Sequence, residues 1–397
     1  MPDLSGMSCE CDLTTYPLNG AYVLRRILAV VALLCAALIG GGGPTQADTA
    51  GATVFRLPAG LGLHDGMIAD FRGTYYVYGT VYSNSSGCHF QWNARNTPWC
   101  GLGVATASSL SGPWSAPTLL FDPDSKDPWT GQSWQVECGS TGQGCFNARM
   151  IQRTGWGAND GVFILWFNSP IDYSRNHSNA YNAMGCTGPA GPCGPGAPGH
   201  GSYAKPSLRI SSGNGDFGII DSGTPGQAPA IICSMPGAAS LSIEQLDYWG
   251  NGGTGAGSTK LAGLSSIEGD GGYYDPASST YVITYSDPDC GYCSGTATGY
   301  ATSGSLLGPY TAPVNVAAAA PPPAGGRRDI SATSCGGQPR TISVVDGQAW
   351  QGIDLWTGHG NEASAGVLYE PLHYTGAPTN VPGDGQPWTP PFTPWTC

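Results

Sequence analysis

One phrase occurs twice in this chain. Residues 74–80 read TYYVYGT and residues 105–114 read ATASSLSGPW; about two hundred residues later, 280–286 read TYVITYS and 301–310 read ATSGSLLGPY. Each copy has the pattern of a half-buried strand, a loop, a second strand and a Gly-Pro-aromatic turn. A single four-stranded unit of this kind cannot bury both of its faces. A repeat therefore requires neighbours stacked along or around an axis. Strand-like runs separated by turn residues recur over 62–120, 147–211, 215–247, 265–310 and 340–374. Five units in one chain predict an all-β fold, a five-bladed β-propeller.

Composition agrees with many tight turns and few helices. The 397 residues include 62 Gly and 33 Pro, and only 11% are charged. Gly and Pro are the residues turns need, and no long 3.6-residue periodicity runs through the chain. The formal charge of −12 leaves no basic stripe for polyphosphate, which excludes nucleic acid as an expected partner. Arg25 and Arg26 precede the apolar run Ile27–Ile39, and small residues follow at Ala47–Ala50. That order predicts a leader and secretory signal over 1–50, and one propeller domain over 51–397. The run is too short for a comfortable membrane span, so the expected product is secreted, free of the membrane after cleavage, and monomeric.

Three of the 14 cysteines precede the expected cleavage, leaving eleven in the exported part. Disulfides are the default in an oxidising compartment. Close spacing suggests the pairs Cys88–Cys100, Cys138–Cys145 and Cys186–Cys193, and the odd count leaves at least one thiol. Cys290-Gly-Tyr-Cys293 is open to a redox or zinc reading, but no second CxxC accompanies it.

Three acids stand at the openings of units: Asp65 in LHDGMI, Asp216 in NGDFGIID and Glu268 in SSIEGDGGYY. In a propeller the innermost strand of each blade lines the central channel. An acid at the start of such a strand points to one channel mouth, so three distant acids can converge there. Neighbouring carboxylates drive their pKa values apart, leaving one protonated and one ionised. Glycosidic cleavage needs that pair, a proton for the leaving oxygen and a base for water. Asp and Gly also occur in surface loops for turn geometry alone, and Asp270 rivals Glu268 on the same strand.

The order of these phrases resembles the five-bladed β-propeller glycosidases of glycoside hydrolase family 43. HDGMIADFRGTYYVYGT resembles the first-blade phrase of that family, and ATASSLSGPW and ATSGSLLGPY resemble its recurring blade ending. SIEGDGGYYDPASSTYVITYSD resembles the segment with the general acid, and GDFGIID followed by LSIEQLD the segment with the acid that tunes it. The resemblance implies Glu268 as acid, Asp216 as modulator and Asp65 as base, over residues 62 to about 375. SCGGQPRTISVVDG, GIDLW and LYEPLHY resemble the end of the exo-β-1,3-galactanase branch, which places Gln338 near the attacking water. That branch has His-Gly where this chain reads His64-Asp65. It also has an acid and Arg-Pro-Lys where this chain reads Phe146-Asn147-Ala148-Arg149. Whether Asp65 or Gln338 activates the water stays open at this point.

Other residues carry two readings each. His64 orients the base, binds a sugar hydroxyl, or packs in a turn. Arg149 binds substrate or makes an ion pair between strands. Trp356 and Trp350 stack on sugar or pack the blades, as most of the 12 Trp and 19 Tyr do. His359 lies in the channel or in a surface loop. The expected function is an inverting glycoside hydrolase acting on a neutral polysaccharide of galactan, arabinan or xylan type. No organic cofactor is expected. A structural calcium is conceivable, but no ligand cluster specifies one. A carbohydrate-binding propeller without catalysis is the alternative. A lyase or phosphate-handling propeller would need a metal cluster or basic residues, and neither is visible.

Overall fold

Alternating β-branched and aromatic residues between Gly-rich turns produce five antiparallel sheets. The computed structural model describes residues 52–397 except 59, 84–89, 93–96, 141–143, 155, 157–159, 171–179, 196, 198–202, 212, 214, 236–239, 262, 314–326, 359–360 and 377–389. The expected leader, His359 and Cys88 lie outside the described residues, as does the side chain of Asp270.

From the axis outward, blade one runs Leu63–Phe71, Thr74–Tyr82 and Thr97–Ala107, with Phe90–Trp92 and Thr118–Leu119 both pairing the last of these. Blade two runs Phe146–Gln152, Phe163–Asn168, Tyr181–Cys186 and Tyr203–Ala204. Blade three runs Phe217–Ile220, Ala230–Met235, Ser240–Leu246 and Gly253–Ser258. Blade four runs Glu268–Asp275, Thr280–Asp287, Ala297–Ser303 and Asp329–Ser331. Blade five runs Gln338–Val345, Gln348–Leu355 and Gly366–Leu372. Its outermost strand is Phe55–Arg56, from the opposite end of the fold, with Phe55 opposite Tyr369. The innermost strands touch their neighbours all the way round, which closes the ring.

The repeated phrases occupy equivalent places: TYYVYGT and TYVITYS are second strands of blades one and four, and the Ala-Thr runs enter or form third strands. These second strands are buried on both faces, not half-buried, because each blade is sandwiched between two others. Five apolar clusters fill the five interfaces. Tyr78, Trp99 and Phe167 sit between blades one and two. Trp166, Phe217 and Ile231 lie between two and three, and Ile232, Ile283 and Tyr285 between three and four. Val282, Tyr300 and Ile342 join four to five, and Ile68, Val77, Trp350 and Tyr369 join five to one. Each such large side chain contributes roughly 1.5–3 kcal/mol by leaving water.

Cys138–Cys145 and Cys186–Cys193 are disulfides, as spacing suggests. Cys100 is also disulfide-bonded. Cys290–Cys293 and Cys335–Cys397 are further pairs, and Cys233 carries a buried thiol. Spacing could not reveal Cys335–Cys397, whose 62-residue separation is bridged only once blade five has folded.

Candidate active site

The innermost strands of blades one, two, four and five all carry a register shift near their beginnings. The shifts fall between His64 and Met67, Phe146 and Arg149, Glu268 and Gly271, and Pro339 and Ile342. A bulge leaves residues out of the ladder and re-aims their side chains. Asp65, Asn147 and Arg340 are themselves bulge residues, and Glu268 directly precedes one. Asp65 and Asn147 have φ of 49° and 62°, in the left-handed region that Asp and Asn tolerate better than most residues. The bulge also explains the HDG sequence. A Cβ on Gly66 would lie 1.6 Å from the Tyr78 carbonyl oxygen, so glycine is required there.

Asp65 is buried. Its Oδ1 accepts hydrogen bonds from Thr80 Oγ1 at 2.8 Å and the Asn147 amide at 2.9 Å. Its own amide donates to Asp354 Oδ2 at 3.0 Å. Burial pushes the Asp65 carboxyl up to about 7; Arg340 works against that shift and the Asp354 charge adds to it.

Asp216 stands immediately before the inner strand of blade three. Arg340 grips it with two hydrogen bonds, Nη1 to Oδ2 at 2.6 Å and Nη2 to Oδ1 at 3.1 Å. Asn147 Nδ2 also donates to Asp216 Oδ1 at 2.9 Å. Asn147 thus touches Asp65 through its backbone and Asp216 through its side chain, joining acids from blades one and three.

Glu268 Oε1 accepts the Cys290 amide at 2.8 Å and Gln338 Nε2 at 3.0 Å. Its Oε2 accepts no hydrogen bond from the described residues, so a proton can reside there. Burial, reinforced by the charge of Asp216, pushes the Glu268 carboxyl up to about 7, against the Cys290 amide and Arg340. The CxxC loop is therefore a stapled turn that delivers backbone amides to the site: Cys290 to Glu268, and Tyr292 to Gln338 Oε1 at 3.3 Å.

The remaining sequence candidates lie around and beneath this group. Gln338 is buried, and its Oε1 accepts Trp356 Nε1 at 2.9 Å. Trp356 is itself buried behind Gln338, its ring 5.3 Å from His64 and 4.9 Å from Tyr292. It supports Gln338 from the protein side, while Trp350 packs against Phe55 in the seam between blades five and one. His64 is stacked on Tyr82 and lies 3.7 Å from Asp354 Oδ1. Arg149 directs its donors to protein acceptors: Phe217 O at 3.1 Å, Asp65 O at 2.7 Å, Ala148 O at 3.1 Å and Asn147 Oδ1 at 3.2 Å. Burial lowers its pKa to about 10. It holds the backbones of blades one and three together below the acids.

Sequence reasoning missed Arg340 and Asp354. Arg340 is almost fully buried among carboxylates. Burial alone would lower its pKa, and Asp216, Asp354 and Asp65 together raise it instead. Asp354 joins the group through Asp65 N and through Arg340 Nε at 3.4 Å. Both lie in phrases already quoted, Arg340 in SCGGQPRTISVVDG and Asp354 in GIDLW, but nothing in those phrases singles them out. The available signal was that each is the one charged residue of its strand, Arg340 in Gln338–Val345 and Asp354 in Gln348–Leu355. Among the described residues, the single convergence of three potential metal ligands is Cys335, Glu370 and Cys397. Its sulfurs are joined in a disulfide, and Glu370 Oε1 accepts the Thr396 and Cys397 amides.

Two carboxyls poised near neutrality, with a third acid fixed by Arg340, can divide proton donation from proton acceptance. Replacing Asp216 with Asn removes the neighbouring negative charge and frees the Arg340 charge. Both changes favour ionised Glu268. The expected result is an alkaline limb of the pH–rate profile displaced downward by about one pH unit. An unmoved limb would show that Asp216 does not tune Glu268.

No protein-family model matches the sequence, and no curated protein matches it. Solved structures share the five-bladed fold. An exo-β-1,3-galactanase from Phanerochaete chrysosporium, solved with galactose, aligns with a TM-score of 0.55 at 16% identity, over 80% of this chain and 65% of that one. A β-1,3-galactosidase of glycoside hydrolase family 43 aligns with a TM-score of 0.56 at 14% identity, over 80% and 60%. An exo-β-1,3-galactanase from Clostridium thermocellum aligns with a TM-score of 0.52 at 13% identity, over 79% and 60%. The chain thus spans about three fifths to two thirds of the length of these neighbours.

Proposed function

We propose that this chain is a glycoside hydrolase that cleaves a neutral polysaccharide by inversion at the mouth formed by Asp65, Asp216 and Glu268. The observation that carries the reading is the wiring of these acids. Asn147 and Arg340 tie Asp65 to Asp216, and the charge of Asp216 helps keep Glu268 protonated toward neutral pH. Glu268 Oε2 gives its proton to the leaving glycosidic oxygen. Asp65, ionised, takes a proton from the water attacking the opposite face of the sugar. Gln338 holds Glu268 Oε1, which leaves Oε2 as the acidic oxygen. This arrangement favours Asp65 over Gln338 as the base, because Gln338 is occupied at both ends.

Galactan is the first substrate to test, since the fold neighbours act on β-1,3-galactosides; arabinan and xylan follow. We place the enzyme outside the cell as a monomer, in keeping with the leader pattern and the disulfides. No helix among the described residues is long and apolar enough to cross a membrane.

The test is a screen of aryl glycosides together with β-1,3-galactan, arabinan and xylan, with proton NMR reporting the first anomer released. The inverted anomer is expected. Turnover should follow a bell centred near pH 7, because protonating Asp65 stops the reaction below that value and ionising Glu268 stops it above. Sugar binding with no product from any member of the panel would instead identify a carbohydrate-binding propeller.

A further inference from the structure

The innermost strands begin at the acid mouth and run to the opposite end of the channel. There the structure forms a half-open cavity of about 340 Å³. Asp70 and Phe71 end the first inner strand, Gln152 ends the second, and Asp221 follows the third; all four line the cavity, with Thr154 and Trp156 beside them. Arg149 forms its floor and separates it from Asp65.

We propose that this rear cavity is a second, non-catalytic binding site for a neutral saccharide. A pyranose ring offers an apolar C–H face and a rim of hydroxyls. Phe71 and Trp156 supply apolar walls, and the volume lies in the range of small-ligand sites. Asp70 Oδ1 accepts the Gly73 amide at 2.8 Å, and Asp221 Oδ1 accepts the Gly223 amide at 3.0 Å. Each carboxylate is thereby fixed in place, and among the described residues its second oxygen accepts no backbone bond, which leaves it available to a hydroxyl. Thr154 and Asp221 are exposed at the rim. The two carboxylates repel acidic sugars, and Arg149 already directs four of its N–H groups to protein acceptors.

A second observation extends the site outward. The loop after Leu246 presses on the back of Trp156 so closely that a Cβ on Gly250 would lie 2.5 Å from its ring. Asp247 Oδ1 fixes this loop by accepting the amides of Trp249 at 3.0 Å and Gly250 at 2.9 Å, and Trp166 Nε1 donates to Gly250 O at 2.8 Å. The rigid loop presents Tyr248, 55% exposed, edge to face with Trp249. Large aromatic rings held in water on a fixed loop form a stacking platform for the next sugar of a chain that enters the cavity.

The test uses the full chain carrying Glu268→Gln, titrated calorimetrically with β-1,3-galactotriose, arabinotriose and xylotriose. At least one trisaccharide is expected to bind at two sites. Adding Thr154→Trp, which fills the cavity from its exposed rim, should reduce the count to one. Adding Tyr248→Ala should weaken the rear site by roughly three- to tenfold. In the parent background both substitutions should leave kcat/KM on an aryl glycoside unchanged. Binding at a single site that Thr154→Trp does not affect, or no binding of any trisaccharide, overturns the proposal. So does a loss of turnover in Thr154→Trp, which would assign the lost site to the acid mouth. A chain that cleaves nothing yet loses a sugar site on Thr154→Trp would retain this inference and reject the hydrolase reading.

Discussion

Glu268→Gln is expected to lower kcat by about 10²–10⁴-fold while leaving the dissociation constant for oligosaccharide nearly unchanged. The amide keeps the size of the side chain and an oxygen to accept the Cys290 amide, so the stapled loop holds its place. What disappears is the proton on Oε2. The loss should depend on the leaving group. A dinitrophenyl glycoside, whose departure needs little protonation, should retain most of its rate, whereas a natural sugar leaving group should lose nearly all. Equal losses on both substrates would show that Glu268 does something other than donate a proton. Unchanged turnover would remove it from the chemistry.

Arg340→Ala is expected to destabilise the fold by about 3–5 kcal/mol and to abolish measurable turnover. The arginine pairs with Asp216 in two hydrogen bonds and lies 3.4 Å from Asp354, with its own side chain only 9% exposed. Without it, carboxylates from blades three and five face one another with no cation between them. Asp65, whose ionisation Arg340 favours, should become still harder to deprotonate. A urea melt checks the first effect, and the second is checked in Arg340→Gln, which removes the charge but keeps a donor: the acidic limb of whatever turnover remains should move upward. A melt that coincides with that of the parent would show that the pair is not a structural tie.

The blade count was legible because the blades share a local signature, and Asp65 and Glu268 stand out in the sequence for a similar reason. TYYVYGT and TYVITYS repeat for packing reasons that hold in every blade, and Asp65-Gly66 and Glu268-Gly269 mark the glycine-dependent bulges that aim the acids. The residues that hold the acids have no such mark. Asn147 reads as an ordinary strand residue until its left-handed backbone and its place between Asp65 and Asp216 are seen. Arg340 meets Asp216, and Asp354 meets Asp65, across more than a hundred residues of chain, a relation no local window contains. Trp356 and Arg149 look like sugar-binding residues by type. Closure of the ring buries both and turns them to the support of Gln338 and the Asp65 backbone. Closure itself was hidden, because Phe55–Arg56 is a two-residue strand with no periodicity to detect.

That short strand governs the order in which the molecule can be completed. Blade five takes its outer edge from Phe55–Arg56 and its other three strands from Gln338–Leu372, so the earliest synthesised part of the fold must wait for nearly the last. Four blades can assemble as the polypeptide emerges, but their ring stays open and the seam between blades five and one stays wet until that long loop is shut. Ribosome-bound intermediates should therefore be vulnerable to proteolysis at this seam, and Asp65, which lies on its inner border, gains the Asp354 contact only in the finished ring.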